Sequence, residues 1–170
     1  MTPSPYIKEY LMTAGPTPVP PLVSQKMAEP ILYHRAPAFL PVYSRVLDRL
    51  KVVFDTKNDV LCFAASGSGA MDSAFANLVR PGDKVLVTSA GKFGERWRDL
   101  AEAYQADFTY LDVEWGTQID PAEVDRLLGE NPGIGVVFTT LSETSTGVVH
   151  DVAAIAEIAH KHDALIVVDA

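Results

Sequence analysis

The sequence predicts an α/β fold with a mainly parallel sheet and helices on both faces. Short apolar, β-branched segments alternate with helix-like segments from about residue 59 onward, which is typical of βα repeats with right-handed crossovers. The apolar segments carry hydrophobic residues on both faces, as strands buried inside a parallel sheet do. Five strands are predicted, at Val60–Ala65, Lys84–Thr88, Phe108–Val113, Gly135–Thr140 and Ala164–Asp169.

The segments between these strands are predicted as helices near residues 70–80, 93–104, 121–130 and 152–162. Local chemistry supports two of the boundaries. The run Arg80-Pro81-Gly82-Asp83 ends one helix and turns the chain. Asp120 can cap the third helix, whose first position suits Pro121.

The N-terminal third is predicted to be organised differently. Residues 1–21 hold six of the twelve prolines, so they are expected to form an extended arm that lies on its own domain or on a second subunit. A short helix from Pro21 and a longer one over Phe39–Phe54 follow. We therefore predict an arm at 1–21, N-terminal helices at 22–58, and the first part of a ligand-binding large domain at 59–170.

Composition narrows the function classes. The 170 residues are 48% hydrophobic with a formal net charge of −8, which fits a globular protein and disfavours binding to nucleic acid or anionic membranes. The one cysteine, Cys62, has no disulfide partner in the chain and is predicted to be buried in the first strand. No signal peptide or apolar run of about 18 residues is found, so a cytoplasmic protein is expected.

A glycine- and serine-rich turn, Ser66–Asp72, joins the first predicted strand to the first βα helix. Such a turn can hold a phosphate at a helix N-terminus, or it can be an ordinary serine-capped helix start. No Gly-Lys-Ser/Thr follows, so it is not a P-loop. A dinucleotide fingerprint would need a third glycine where Asp72 stands and an acidic residue after the second strand, where 88–90 read Thr-Ser-Ala.

Three further candidates follow later strands, where open α/β sheets bind ligands. Phe93 lies between glycines, where it could stack on a planar ring or belong to the core. The hydroxyl-rich segment 143–147 could surround a polar ligand or form a simple turn. Asp169 ends an apolar strand, where a carboxylate is costly to bury without a partner such as a protonated pyridine nitrogen; capping of a following loop is the alternative.

Seven stretches, in this order and spacing, carry a family resemblance: MTAGPTPVPPLV, ILYHRAPAF, SGSGAMDSAFANLVRPGDKVLV, GKFGERW, EWGTQIDPAEV, ETSTGVV and LIVVDA. With them the chain resembles the N-terminal part of the class V, fold-type I, pyridoxal-phosphate-dependent aminotransferases. The serine–pyruvate and alanine–glyoxylate group is the most similar. The resemblance implies a cofactor site in which the phosphate is held by Ser68, Gly69 and Ala70, the pyridine ring by Phe93, its hydroxyl side by Thr144, and its nitrogen by Asp169.

The resemblance also implies the activity. It implies transamination between alanine or serine and glyoxylate or pyruvate, with Asp169 as a catalytic residue, Gly15 near the substrate, and a homodimer with a shared active site. None of the seven lysines matches the family's cofactor-binding lysine, which lies downstream of the VVDA strand. The chain is therefore expected to be part of a longer protein that also contains this lysine and a small C-terminal domain.

Two alternatives stay open from the sequence. A cysteine desulfurase-like lyase would share the fold and cofactor, although such proteins usually have histidine at the position of Phe93. A non-catalytic binding or scaffold domain could keep the same fold without the chemistry.

Overall fold

The computed structural model describes residues 11–13 and 15–170, and the chain divides into two compact units, 1–64 and 65–170. The first unit contains helix α1 (Pro21–Met27), which begins at Pro21 as predicted, and helix α2 (Leu40–Val53). All of α1 and most of α2 are exposed. The predicted arm falls partly on residues 1–10 and 14, which lie outside the described residues, and the predicted division into domains stays a prediction.

The second unit confirms the predicted α/β fold with a parallel sheet. Along the chain its elements are α3 (Gly67–Leu78), β1 (Lys84–Ser89), α4 (Lys92–Ala103), β2 (Asp107–Asp112), α5 (Pro121–Glu130), β3 (Val136–Thr140), β4 (Ser142–Glu143), β5 (Val148–Val149), α6 (Val152–Lys161) and β6 (Leu165–Asp169). The four-stranded sheet has the order β2-β1-β3-β6, every neighbouring pair is parallel, and a small antiparallel pair, β4 and β5, stands apart.

Alternation along the central strands places a hydrophobic core on each face of the sheet. In β1, Val85 and Val87 pack with residues of α3 and α4, whereas Leu86 between them packs with residues of α5 and α6. Successive side chains of a strand point to opposite faces, so one apolar run serves both cores. This explains why the strands of the second unit read as continuous apolar segments.

An aromatic cluster fills the core beneath α3 and α4. The ring of Phe75 stacks on Phe138 with centroids 4.0 Å apart and lies 5.9 Å from the ring of Trp97. All three side chains are almost completely buried, and the Trp97 indole donates a hydrogen bond to the Thr139 carbonyl at 3.1 Å. Both helices are thereby fixed to the central strand β3.

Two predictions for the segment before α3 are wrong. Residues 60–65 form no strand, and Cys62 is exposed instead of buried. A strand needs a neighbour for its backbone hydrogen bonds, and none of the described strands pairs with this segment. Without that pairing the apolar side chains of Leu61 and Phe63 remain largely exposed.

The carboxyl ends of the parallel strands lie together at one edge of the sheet. Thr140 of β3 is in register with Asp169 of β6, and the Leu141 amide donates to the Asp169 carbonyl at 2.8 Å. The hydroxyl-rich segment after β3 forms the turn of the β4–β5 hairpin, which closes at Gly147 with a positive φ of 79°. None of the helices in the described part of the chain is long and apolar enough to cross a membrane.

Candidate functional site

Two adjoining pockets lie at the carboxyl edge of the sheet in the second unit. One, of about 250 Å³, is lined by Ser66, Gly67, Ser68, Met71, Phe93, Arg96 and Asp169. The other, of about 210 Å³, is lined by Phe93, Ser142, Thr144, Asp169 and Ala170. Phe93 and Asp169 belong to both pockets. The fold thus brings Ser68, Phe93, Thr144 and Asp169, which are widely separated in sequence, to one place.

The glycine-serine turn forms the first turn of α3. Ser66 precedes the helix in an extended conformation, and its side chain makes no capping hydrogen bond. A Cβ atom on Gly69 would come within 2.6 Å of the Ala65 Cβ, so the close approach of the chain requires glycine there. Ala70 is exposed in the same turn. The start of α3 therefore offers backbone amides that no local side chain caps.

Arg96 is a site residue that the sequence reasoning missed. Its guanidinium donates a hydrogen bond to the Ser68 hydroxyl across the pocket. Arg96 lies three positions after Phe93 in α4, so both side chains lie on the same side of the helix. That spacing was the available signal, because a residue three positions after a pocket aromatic shares its helix face.

The Asp169 carboxyl is half-buried, and its surroundings disfavour its ionised form. Burial raises the pKa of the Asp169 carboxyl, the nearby Glu143 carboxylate raises it further, and the Arg96 guanidinium offsets part of the rise. None of the described residues donates a hydrogen bond to this carboxylate. A cationic hydrogen-bond donor placed in the pocket would stabilise the ionised carboxylate and would supply the hydrogen bond that it lacks.

Glu143 is the second residue that sequence reasoning missed. It is fully buried in β4, and its Oε2 accepts hydrogen bonds from the amides of Phe93 at 3.1 Å and Gly94 at 3.0 Å. Its Oε1 accepts from the amide and the hydroxyl of Ser145. The signal was a missing cap: α4 begins after Gly91, which has no side chain to satisfy the first amides.

The two helix starts at this edge therefore differ. The amides at the start of α4 are occupied by the Glu143 carboxylate, which also suits the positive end of the helix dipole. The start of α3 has no such side-chain acceptor and faces Arg96 instead. An anion entering the pocket would be attracted to α3 and repelled from α4.

His150 is a buried histidine behind the hairpin. Its Nδ1 accepts a hydrogen bond from the Ile119 amide at 3.2 Å, and burial lowers the pKa of its imidazole, while Glu143 partly opposes that shift. Nδ1 accepts this bond only when it carries no proton. The folded protein therefore holds His150 in its neutral form.

We expect His150 to make the protein less stable in acid. Its pKa is lower in the folded than in the unfolded chain, so the unfolded chain binds the extra proton as the pH falls below about 6.5. The free energy of unfolding should be at its full value above that pH and decline below it, by at most about 1.4 kcal/mol per pH unit for one group. His150→Asn, whose side-chain oxygen can accept from Ile119 without titrating, should show a shallower decline between pH 7 and pH 5 in urea unfolding.

The control for this measurement is His160→Asn, because His160 is exposed on α6. It should keep the decline of the parent protein. Equal pH profiles for the parent protein and His150→Asn would contradict the expected role of His150.

Gly15, expected near the substrate, lies in the first unit. It is exposed, and a Cβ atom there would meet no other atom within 4 Å. Its role at the site stays a prediction.

The residues of the second unit fit the pyridoxal phosphate that the family resemblance implies. The uncapped start of α3 suits a phosphate, the Phe93 ring suits an aromatic heterocycle, and the unpartnered Asp169 carboxyl suits a protonated ring nitrogen. These three features line connected pockets. The chemistry of the donors and acceptors therefore matches the three parts of that cofactor.

Known proteins show the same arrangement of sequence and fold. Residues 9–170 match the aminotransferase class-V family. The chain is 36% identical over 168 residues to a serine–glyoxylate aminotransferase of Hyphomicrobium methylovorum, covering 96% of this chain and 42% of that protein. It is 40% identical over 166 residues to a protein of Anabaena cylindrica named the 42 kDa subunit of a soluble hydrogenase, covering 96% and 43%.

Among solved structures, an aspartate aminotransferase of subgroup IV from Thermus thermophilus superposes with a TM-score of 0.87 at 31% identity, covering 94% of this chain and 45% of that one. The chain thus spans somewhat over two fifths of the length of these relatives. Because the family match extends over nearly all of its residues, the chain belongs to the aminotransferase class-V family.

Proposed function

We propose that this chain forms the cofactor-binding part of an aminotransferase that moves an amino group from alanine or serine to glyoxylate or pyruvate. Class-V aminotransferases depend on pyridoxal 5′-phosphate. The observation that carries the proposal is the half-buried Asp169 carboxyl, to which none of the described residues donates a hydrogen bond. This carboxyl lies beside Phe93 in a pocket of about 210 Å³, where a planar ring could bind between them. The substrate range rests on the likeness to the serine–glyoxylate enzyme.

Each part of the pocket has its own task in this proposal. The start of α3 and the Ser68 hydroxyl bind the phosphate, and Arg96 balances part of its charge. Phe93 covers one face of the ring, and Thr144 contacts its hydroxyl side. Asp169 holds a proton on the ring nitrogen, and the bound cofactor then supplies an acceptor for the electron pair released from the amino acid.

The direct test is a donor and acceptor screen on the full-length protein. Alanine, serine and aspartate would each be supplied with glyoxylate or pyruvate, with and without pyridoxal 5′-phosphate. We expect cofactor-dependent amino transfer, with alanine or serine exceeding aspartate. Failure of the protein to bind the cofactor, or cofactor binding without any amino transfer, would overturn the proposal.

Ser68 offers a prediction about the phosphate. Ser68→Ala removes a hydroxyl that lines the pocket and should weaken cofactor binding by about 1–3 kcal/mol, the value of a hydrogen bond to a charged group. Equilibrium dialysis with pyridoxal 5′-phosphate measures this directly. Ser73→Ala is the matched control, because Ser73 lies further along α3 and lines neither pocket, and it should bind like the parent protein. Equal affinities for Ser68→Ala and the control would contradict the assignment.

The assembly belongs to the same proposal. We propose a cytoplasmic homodimer in which the proline-rich residues 1–20 cross to the second subunit. The apolar side chains exposed on the first unit, such as Ile31 and Val53, support a covering partner. A full-length protein lacking these residues should lose dimer on a sizing column, and an undiminished, fully active dimer would refute the arrangement.

A further inference from the structure

We propose that Glu143 is a positioning residue that holds Phe93 and Thr144 in the cofactor pocket, an inference that rests on the proposed function. Glu143 directly precedes Thr144 in the chain and is bonded to the backbone of Phe93 from fifty residues away. Glu143 itself does not line either pocket. Its effect on the site therefore passes through the two residues that do.

Hydrogen bonds to Glu143 and Ser145 surround the start of α4. Beyond the bonds to Phe93 and Gly94, the Ser145 hydroxyl, itself bonded to Glu143, accepts from the Lys92 amide at 3.0 Å. The first three amides of α4 are thus all satisfied, two by the Glu143 carboxylate in β4 and one by the Ser145 hydroxyl in the turn that follows. One buried carboxylate joins the helix that carries the aromatic ring to the turn that carries the hydroxyl.

The buried Glu143 carboxylate requires the hydrogen-bond donors that surround it. A carboxylate with no exposed surface is costly unless each oxygen is hydrogen-bonded. Here both oxygens accept two hydrogen bonds, and the positive end of the α4 dipole adds a favourable field. These compensations depend on the present geometry, so a shift of α4 relative to the hairpin would leave a buried charge without partners.

Gly91 gives an independent observation of the same fit. A Cβ atom on Gly91 would lie 2.6 Å from the Glu143 Cγ and 2.6 Å from the Ser145 Oγ. Contacts of that length are not tolerated, so any larger residue would push the carboxylate away. Gly91 has an extended backbone, so space, and not backbone conformation, makes glycine necessary here.

The proposal is tested with Glu143→Ala, Glu143→Gln and Gly91→Ala in the full-length protein with pyridoxal 5′-phosphate. Glu143→Ala removes the acceptor, and Gly91→Ala keeps the carboxylate but displaces it. Glu143→Gln keeps an acceptor for α4 but presents an NH₂ group to Ser145. If Glu143→Ala yields no folded protein, Gly91→Ala still tests the geometry.

Two readouts are taken below the melting temperature of every variant. They are the dissociation constant of the cofactor and its induced circular dichroism, which reports the asymmetric setting of the bound ring. We expect Glu143→Ala and Gly91→Ala to raise the dissociation constant at least tenfold and to reduce the induced signal. Glu143→Gln should recover part of both.

Leu128→Ala is the matched control, because Leu128 is buried in the core on the other face of the sheet. It should lower the melting temperature without changing the bound cofactor. If Glu143→Ala and Gly91→Ala also leave both readouts unchanged, the positioning role is refuted while the proposed function stands. If the parent protein binds no cofactor, the proposed function and this inference are both refuted.

Discussion

Replacing Asp169 by asparagine is expected to lower amino transfer by about 100- to 1,000-fold, the range for removing one preorganised electrostatic group. Asparagine is nearly the same size but carries no charge, so it cannot hold a proton on a ring nitrogen. The proposed phosphate contacts at α3 are untouched by this change, so cofactor binding should fall much less than turnover. The parent protein and Asp169→Asn would be compared by steady-state rate and by cofactor affinity.

Asp163→Asn is the control, because Asp163 is exposed at the opposite end of β6. Its positive φ of 57° is tolerated by asparagine, so it should behave like the parent protein. A full turnover rate in Asp169→Asn would exclude Asp169 as the partner of the ring nitrogen. An equal loss of binding and turnover would point to a role in cofactor retention alone.

Replacing Phe75 by alanine is expected to cost about 3–5 kcal/mol of folding free energy. Phe75 has no exposed surface and contacts the rings of Phe138 and Trp97, so its removal leaves a cavity between α3, α4 and the sheet. The loss is large against the roughly 5–15 kcal/mol that stabilises an ordinary protein. Urea unfolding followed by far-ultraviolet circular dichroism measures it.

Trp115→Ala provides the comparison for an aromatic residue at the surface. Trp115 is 52% exposed, so its removal should change the free energy of unfolding by much less. A change below about 1 kcal/mol for Phe75→Ala would mean that the aromatic cluster is not a principal part of the core.

The predicted fold succeeds wherever residues act on near neighbours along the chain. Strand β1 and helix α5 are confirmed within a residue or two, because an apolar run and a helix start with an aspartate cap followed by proline depend on local sequence. The segment 60–65 fails because its apolar character alone cannot supply a strand neighbour. The β4–β5 hairpin was missed for the opposite reason: its strands are only two residues long, too short to show alternation.

The residues of the candidate site also fall into those that the sequence indicates and those that it does not. Ser68, Phe93 and Asp169 could be selected from their places after predicted strands, because strand ends of a parallel sheet converge. Glu143 and Arg96 were not selected, because their places after the strands do not mark them and their hydrogen-bond partners lie far away in sequence. A helix that begins after glycine, without a local capping side chain, is the one hint that a distant acceptor is needed.

The two tryptophans give the protein two built-in optical reporters. Trp97 is almost fully buried in α4, four positions after Phe93, whereas Trp115 is about half exposed. A Trp115→Phe variant would leave Trp97 as a single fluorophore on the helix that borders the pocket. Its emission would follow unfolding of the sheet core, and energy transfer from it to a bound chromophore would record cofactor arrival in real time.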